Sequence, residues 1–177
     1  MPHTRAASSL LLAALLVGLV PGVSVAQGSS QAYLSFLMAR RLEAEGDNSG
    51  ALNALKRAAT ADPRSAEIQA EMAGFHLRHN DRPEAEPAAK AALAINPDNV
   101  GANRALGLLN AAAVEGASGR DAAAQVQTYM RDAIMYLERA IRASGPTADV
   151  TLHYTLGRLY IRNGEPAKAI DSLSRVL

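Results

Sequence analysis

His76 and His79 stand three residues apart, a spacing that on a helix could bring two imidazoles to one metal ion. No carboxylate in helical register completes a familiar ligand set, so the expectation is one packed ring beside one solvated ring, and no metal site. His153 stands alone, and packing in or at the edge of a core is the expected place of its ring. Glu43, Glu45, Glu67, Glu71 and Asp132 are scattered as a solvated face would scatter them. Acid–base catalysis needs a cleft that desolvates two such groups and separates their pKa values. Serine-nucleophile motifs, a phosphate-cradling glycine loop and the helical zinc signature are absent, and no cysteine is present to form a thiolate site or a disulfide. The chemistry-bearing residues therefore predict no enzyme, no cofactor and no catalytic residue.

The elements that position these side chains are set by a ladder of small residues. Ala39, Ala73 and Gly107 lie 34 residues apart, and Gly157 opens a fourth copy. Within a copy, steps of 12 run from Ala39 to Ala51, Ala73 to Ala85 and Gly157 to Ala169. Steps of 7 run from Ala51 to Ala58, Ala85 to Ala92, Ala133 to Ala140 and Ala169 to Val176. A helical hairpin explains both. Helices crossing at about 8 to 10 Å need side chains no larger than a methyl where their axes come closest, so Gly or Ala on the first helix is expected to face Ala on the second. Leu34, Met38 and Leu42, then Leu52 and Leu55, recur at helical spacing and form the stripe such a helix buries. Asp62-Pro63, Asn96-Pro97 and Gly145-Pro146 close the hairpins, because Pro cannot extend a helix. Pro83 and Pro166 fall near first turns, where a missing N–H costs little, whereas Pro87 should bend its helix or delay its start.

The third copy departs from the ladder. Gly107 to Ala133 spans 26 residues instead of 12, which adds 14 between the two helices, in or beside Gly116–Gly119. Asp121 to Ala143 then holds no Gly or Pro and carries Val126, Met130, Ile134, Leu137 and Ile141 at nearly every fourth position. This pattern predicts one long second helix of about six turns, capped by Asp121. A tolerated loop insertion and a ledge for a partner are both compatible with it.

These residues resemble the tetratricopeptide repeat (TPR), a helix–turn–helix family with a 34-residue period. Gly157, Tyr160, Ala169, Leu173 and Val176 sit at consensus spacing in the best copy, and Ala85, Ala92 and Pro97 do so in the second. The family's early Trp position holds Ser35, Gln69, Asn103 and His153 instead, and its Tyr position holds Leu42, His76 and Asn110 before Tyr160. The resemblance implies an all-α fold, a right-handed α-solenoid of about four TPR repeats at about 32-65, 66-99, 100-147 and 150-177, the last incomplete. It implies a protein–protein interaction scaffold whose first helices line a concave groove. The groove positions hold Tyr33, Phe36, Arg40, Glu43, Glu67, Arg78, Arg104, Tyr154, Arg158 and Arg162. Arg grips carboxylates with two parallel hydrogen bonds and Tyr and Phe offer contact area at low entropic cost, so a peptide or partner protein with acidic groups is the expected ligand. The family's chaperone-tail clamp needs Lys and Asn where this chain has Phe36, Arg40, Glu71, Gly101 and Ala105, so chaperone C-termini are not expected.

The N-terminus reads as an address. Arg5 precedes an apolar stretch from Leu10 to Val20, Pro21-Gly22 breaks it, and Ser24-Val25-Ala26 supplies the small residues a signal peptidase reads. The expectation is a signal peptide at 1-26, a solenoid at 27-177 and an exported, periplasmic or secreted protein, since the apolar run is short of the roughly 20 residues that span a bilayer. Loss of Arg5 would leave 17 basic against 17 acidic residues, a near-neutral balance that does not favour nucleic acid or an anionic membrane. The segment Ser172–Leu177 stops inside a helix pattern with Leu173 and Leu177 apolar. It leaves two alternatives open: an N-terminal module of a longer exported protein with further repeats or a catalytic domain, or self-association through the C-terminal helix.

Overall fold

The computed structural model describes residues 22–117 and 122–177, so most of the expected leader and the expected cap Asp121 lie outside the described residues. Among the described residues eight α-helices form four antiparallel hairpins: α1 (Gly22–Ala44) with α2 (Asn48–Ala61), α3 (Ala66–Arg78) with α4 (Arg82–Ile95), α5 (Val100–Gly116) with α6 (Ala122–Ser144), and α7 (Val150–Arg162) with α8 (Pro166–Ser174). Successive hairpins stack in chain order through α2–α3, α4–α5 and α6–α7 and through the first helices α3–α5–α7. Among the described residues there is no strand, and no helix is long and apolar enough to cross a membrane. Helix α1 starts at Gly22, so the expected cleavage point after Ala26 falls inside it.

The turns inside the hairpins follow one rule. Seven positions after the small residue of the first helix comes a residue of positive φ: Gly46 (86°), Asn80 (57°) and Gly164 (76°). The next N–H then reaches back five residues, from Asp47 to the Leu42 carbonyl, Asp81 to His76 and Glu165 to Tyr160, at 2.8 to 2.9 Å. This double-bonded termination satisfies the last carbonyls and depends on a residue that tolerates the left-handed region. In the third hairpin that place is held by Val114, a β-branched residue that does not, and α5 runs on to Gly116. The expected long second helix is present as α6, and the insertion extends the first helix as well. It lengthens both: α5 has 17 residues against 13 in α3 and α7, and α6 has 23 against 14 in α4. The extra turns of α5 and α6 pack on each other, with Val114 and Met130 buried in the largest core cluster and Val126 and Tyr129 against it.

Caps and stops behave as their residue types dictate. Asp47, Ser65, Asn99 and Asp149 each accept a backbone N–H from the first turn of α2, α3, α5 and α7. Asp62 and Asn96 end α2 and α4 before Pro63 and Pro97, and Gly145–Thr147 forms a short 3-10 turn after α6. Pro83 and Pro166 lie in first turns, but Pro87 does not delay the start of α4; it sits inside the helix, where the bond forfeited is the one to the Pro83 carbonyl. Asn103, at the family's Trp position, is fully buried and donates to the carbonyls of Pro97 and Asn99, tying the loop before α5 to the helix.

Two expectations about packing need correction. Gly107 and Gly157 pack most closely on leucine: a Cβ at either would lie 2.6 to 2.8 Å from Leu137 or Leu173 side-chain atoms, so each glycine is a recess that receives a leucine of the second helix, with the expected Ala169 3.5 Å from the Gly157 Cβ position through its carbonyl oxygen. Leu34 and Met38 are not buried either, being 61% and 48% exposed. Their counterparts one and more repeats on, Ile68, Leu106, Leu152 and Leu156, are buried, because there the preceding hairpin lies against them. The first-helix stripe is apolar in every copy; what covers it is the neighbour.

Candidate functional site

The first helices α1, α3, α5 and α7 present one face from end to end, and its polar residues are organised by ion pairs between consecutive helices. Arg78 on α3 donates from Nε and Nη2 to both carboxylate oxygens of Glu43 on α1, each at 2.8 Å, and from Nη2 to Glu71 at 2.9 Å. Arg40 on α1 reaches the other oxygen of Glu71 at 3.6 Å, and His79 Nε2 lies 3.5 Å from Glu43. The Arg78 guanidinium holds the Glu43 carboxyl below its ordinary value, against a smaller opposing effect of burial, and Glu43 in turn raises Arg78. Further along, Arg104 on α5 meets Asp149, the cap of α7, at 3.2 Å, and Arg158 on α7 meets Glu115 on the extended end of α5 at 2.7 Å. Asp149 is depressed first by the Thr151 backbone N–H it caps and only then by Arg104.

Three shallow depressions run along this face. Arg40, Glu43, Glu71 and Arg78 line the first; Phe36, Glu67, Glu71, Arg78 and Arg104 line the second, so the two are continuous through Glu71 and Arg78. The third lies between α5 and α7 and includes Val114, Glu115, Arg158 and Arg162. Tyr154 stands beside it with the Arg158 guanidinium 5.9 Å from its ring centroid. The structure thus gathers nine of the ten residues expected to line a groove, on or beside three joined or neighbouring depressions, while Tyr33 lies exposed outside all three. The arginines are mostly committed to the chain's own carboxylates. Arg162 is the exception, with no carboxylate partner among the described residues.

Glu71, which the family register places on the face, is joined there by Glu115, Asp149 and His79, which were not read as part of it from sequence. The signal was present as opposite charges roughly one repeat apart, 35 residues for Glu43 and Arg78 and 43 to 45 for the other two pairs. The histidines fall where expected: His76 is buried with Nδ1 2.9 Å from Asp81, and His79 is partly solvated against Phe75. His153 is half-buried on α7. Among the described residues no three His, Asp or Glu side chains gather as a metal site requires.

Comparisons with known proteins place this geometry. The family described as the Cilia and flagella-associated protein 70 middle TPR-like domain matches residues 36–170. No curated protein matches the chain. Among solved structures, a thermophilic TPR protein of Thermus thermophilus is similar at 25% identity and a TM-score of 0.65, over 82% of this chain and 73% of that one. The human IFIT1 dimer with m7Gppp-AAAA is similar at 21% identity and a TM-score of 0.66, over 82% of this chain but only 32% of IFIT1, so this chain spans about a third of that protein. MamA is similar at 21% identity and a TM-score of 0.60, over 82% of this chain and 71% of that chain. The last two likenesses show the fold alone.

Proposed function

From the premise that this chain belongs to the TPR-like family matched over residues 36–170, we propose that it is an exported scaffold that docks a peptide or partner protein on the face of its first helices. The observation that carries the reading is the continuity of that face. Residues from all four hairpins meet along it, and ion pairs cross it from α1 to α3 and from α5 to α7, so its charged groups are arranged before a partner arrives. A preorganised surface of this kind loses little conformational entropy on binding. The seat proposed for the partner is the α5–α7 end, where Tyr154, Arg158 and Arg162 follow one another along α7 and Arg162 has no carboxylate partner among the described residues, and an acidic group on the partner is the matching chemistry. The near-even balance of 18 basic and 17 acidic residues supports a protein partner over nucleic acid, and nothing catalytic is assigned.

Cross-linking of the full chain in its native compartment tests this. Partners recovered with the parent protein are expected to be lost when Arg158 and Arg162 both become Glu, and undiminished recovery would sink the assignment of the face. Export is tested separately by mass analysis of the chain from the cell envelope or medium, where the expected N-terminus is Gln27.

One observation favours a second reading beside the first. Leu34 and Met38 at one end of the stack, and Ile161 and Ile170 at the other, are exposed at positions whose counterparts Leu106, Ala111 and Ile134 pack into core clusters. Both ends therefore suit another hairpin, from further repeats or from a second copy. Light scattering that finds a monomer at every concentration removes the second-copy form of this reading.

A further inference from the structure

A cavity of about 690 Å³ opens on the opposite side of the stack, between the second helices α6 and α8 and over α7. Its origin lies in the repeat register. Three positions after the small residue Ala133, helix α6 carries Tyr136, which packs against the cluster of Ala89, Ala92 and Leu106 and so fills the equivalent space between α4 and α6. Three positions after Ala169, helix α8 carries Ser172. The hydroxymethyl group cannot fill what a phenol ring fills, and the space stays open over an apolar floor of Ile141, Leu156 and the ring of Tyr160. Tyr160 donates its hydroxyl hydrogen bond to Glu138, so that carboxylate is engaged at the floor.

The charges at the mouth are unequal. Lys168 is held by Glu165 at 2.5 Å, with its ammonium 5.3 Å from the Tyr160 ring centroid. Arg175 has only a 3.8 Å contact with Asp171, both side chains being largely exposed, and Arg142 has no carboxylate partner among the described residues. An apolar floor under two loosely held guanidinium groups matches a chain segment that carries a bulky apolar side chain next to carboxylates.

We propose that this groove is a second docking site, taking an acidic segment of a partner protein whose apolar side chain occupies the space that Tyr136 occupies one repeat earlier, with its carboxylates against Arg142 and Arg175. It is independent of the first-helix face. Two partners, or two parts of one partner, then bind opposite sides of the same stack.

The test uses the full chain and a fluorescein-labelled twelve-residue peptide in which Leu alternates with Asp and Glu, read by fluorescence polarisation. Saturable binding is expected, weakened at least tenfold by Ser172→Tyr, which closes the space from within, and to a similar extent by Arg142→Glu combined with Arg175→Glu. Arg64→Glu, an exposed charge reversal between α2 and α3 that belongs to neither site, should leave it unchanged. Equal binding of a peptide with Lys in place of the acids, no binding of the acidic peptide, or loss on Arg162→Glu instead of Ser172→Tyr each overturns the proposal, as does concentration-dependent dimerisation that the Ser172→Tyr variant abolishes. Should Ser172→Tyr lose its helical circular dichroism, the exposed arginine pair decides alone.

Discussion

The first two hairpins are built on alanine and the last two on leucine. Ala39, Ala51, Ala54, Ala58, Ala73, Ala85, Ala89 and Ala92 are all buried in the first half, where Leu55, Ile68 and Phe75 are the large side chains enclosed with them. The largest cluster in the second half is Met130, Leu137, Leu152, Leu156, Leu159 and Tyr160 around Val114. The polar faces differ in the same sense. On the first-helix face Arg40, Arg78, Glu43 and Glu71 of the first half satisfy one another, whereas Arg162 of the second half has no carboxylate partner among the described residues. Small side chains let paired helices approach closely, and a small residue set among large ones, as at Ser172, leaves a gap. The contrast suggests a rigid half that shapes the molecule and a half with capacity to bind.

The largest effects should separate the two halves in stability. Leu137 is fully buried beneath Gly107, and Leu137→Ala is expected to cost about 2–5 kcal/mol in urea unfolding. Gly107→Ala should also destabilise. Its new Cβ would lie 2.7 Å from Leu137 Cδ2 and 3.2 Å from the Leu137 backbone N, and only the former can move aside. Such overpacking costs about 1–3 kcal/mol, against a gain of up to about 1 kcal/mol from replacing a helical glycine. The second hairpin carries Ala73 and Ala89 at these two places, so the double variant recreates its pairing and Gly107→Ala should change sign in the Leu137→Ala background. The first hairpin accommodates Ala39 with Leu55, which locates the clash in the helix spacing of the third hairpin rather than in the residue types. Additive single effects would break the distinction.

A smaller contrast sits at the family's Tyr position. His76 and Tyr160 occupy it in the second and fourth hairpins, bonded to Asp81 and Glu138. Asp81 spends its carboxylate on the buried imidazole instead of capping α4, and Asp81→Ala strands a buried ring nitrogen at a cost of about 1–3 kcal/mol. Tyr160→Phe removes a bond at the edge of an open groove, where water can replace it, and should cost about 0.5–1.5 kcal/mol. Paired thermal melts that rank the two in the opposite order would count against the halves differing in rigidity.

Much of this was legible before any coordinates, and the reasons differ from feature to feature. The 34-residue return of Ala39, Ala73 and Gly107 marks each hairpin because close helix approach admits no larger residue there. That Leu137 and Leu173 fill the recesses at the glycines was hidden, since spacing identifies a helix face but not which residue on the opposite helix fills the recess. The lengthening of α5 was readable in principle: Val114 stands where Gly46, Asn80 and Gly164 end the other first helices. The exposure of Leu34 was not, because periodicity reports an apolar stripe and says nothing of the neighbour that covers it. Of the site, the groove positions followed from the family register, whereas the partners that neutralise them come from helices a repeat away.

The ion pairs of the first half give a weaker, pH-dependent signature. Glu43 is depressed below its ordinary value of 4.5 by Arg78, so its contribution is present above pH 4.5 and lost as pH falls through the lower value it has in the folded chain. The pair is partly solvated, which keeps the effect under about 1 kcal/mol. The stability difference between the parent and Glu43→Gln should therefore shrink between pH 5 and pH 3 and with added salt. A difference that grows on acidification would show that burial of the Glu43 carboxyl, not the guanidinium, governs that corner.

The smallest effect on stability should be the most informative about function. Arg162 is exposed and has no carboxylate partner among the described residues, so Arg162→Glu should leave unfolding free energy within about 0.5 kcal/mol of the parent. Arg40→Glu is the matched reversal in the first half, where Glu71 is already held by Arg78 and the loss of the 3.6 Å contact from Arg40 is similarly slight. The two variants then change the same charge on the same face at nearly equal stability. If the second half is the binding half, partner recovery by cross-linking should fall with Arg162→Glu and hold with Arg40→Glu. Equal losses would mean that the partner reads the face through its overall charge, and a loss confined to Arg40→Glu would move the seat to the ion-paired end.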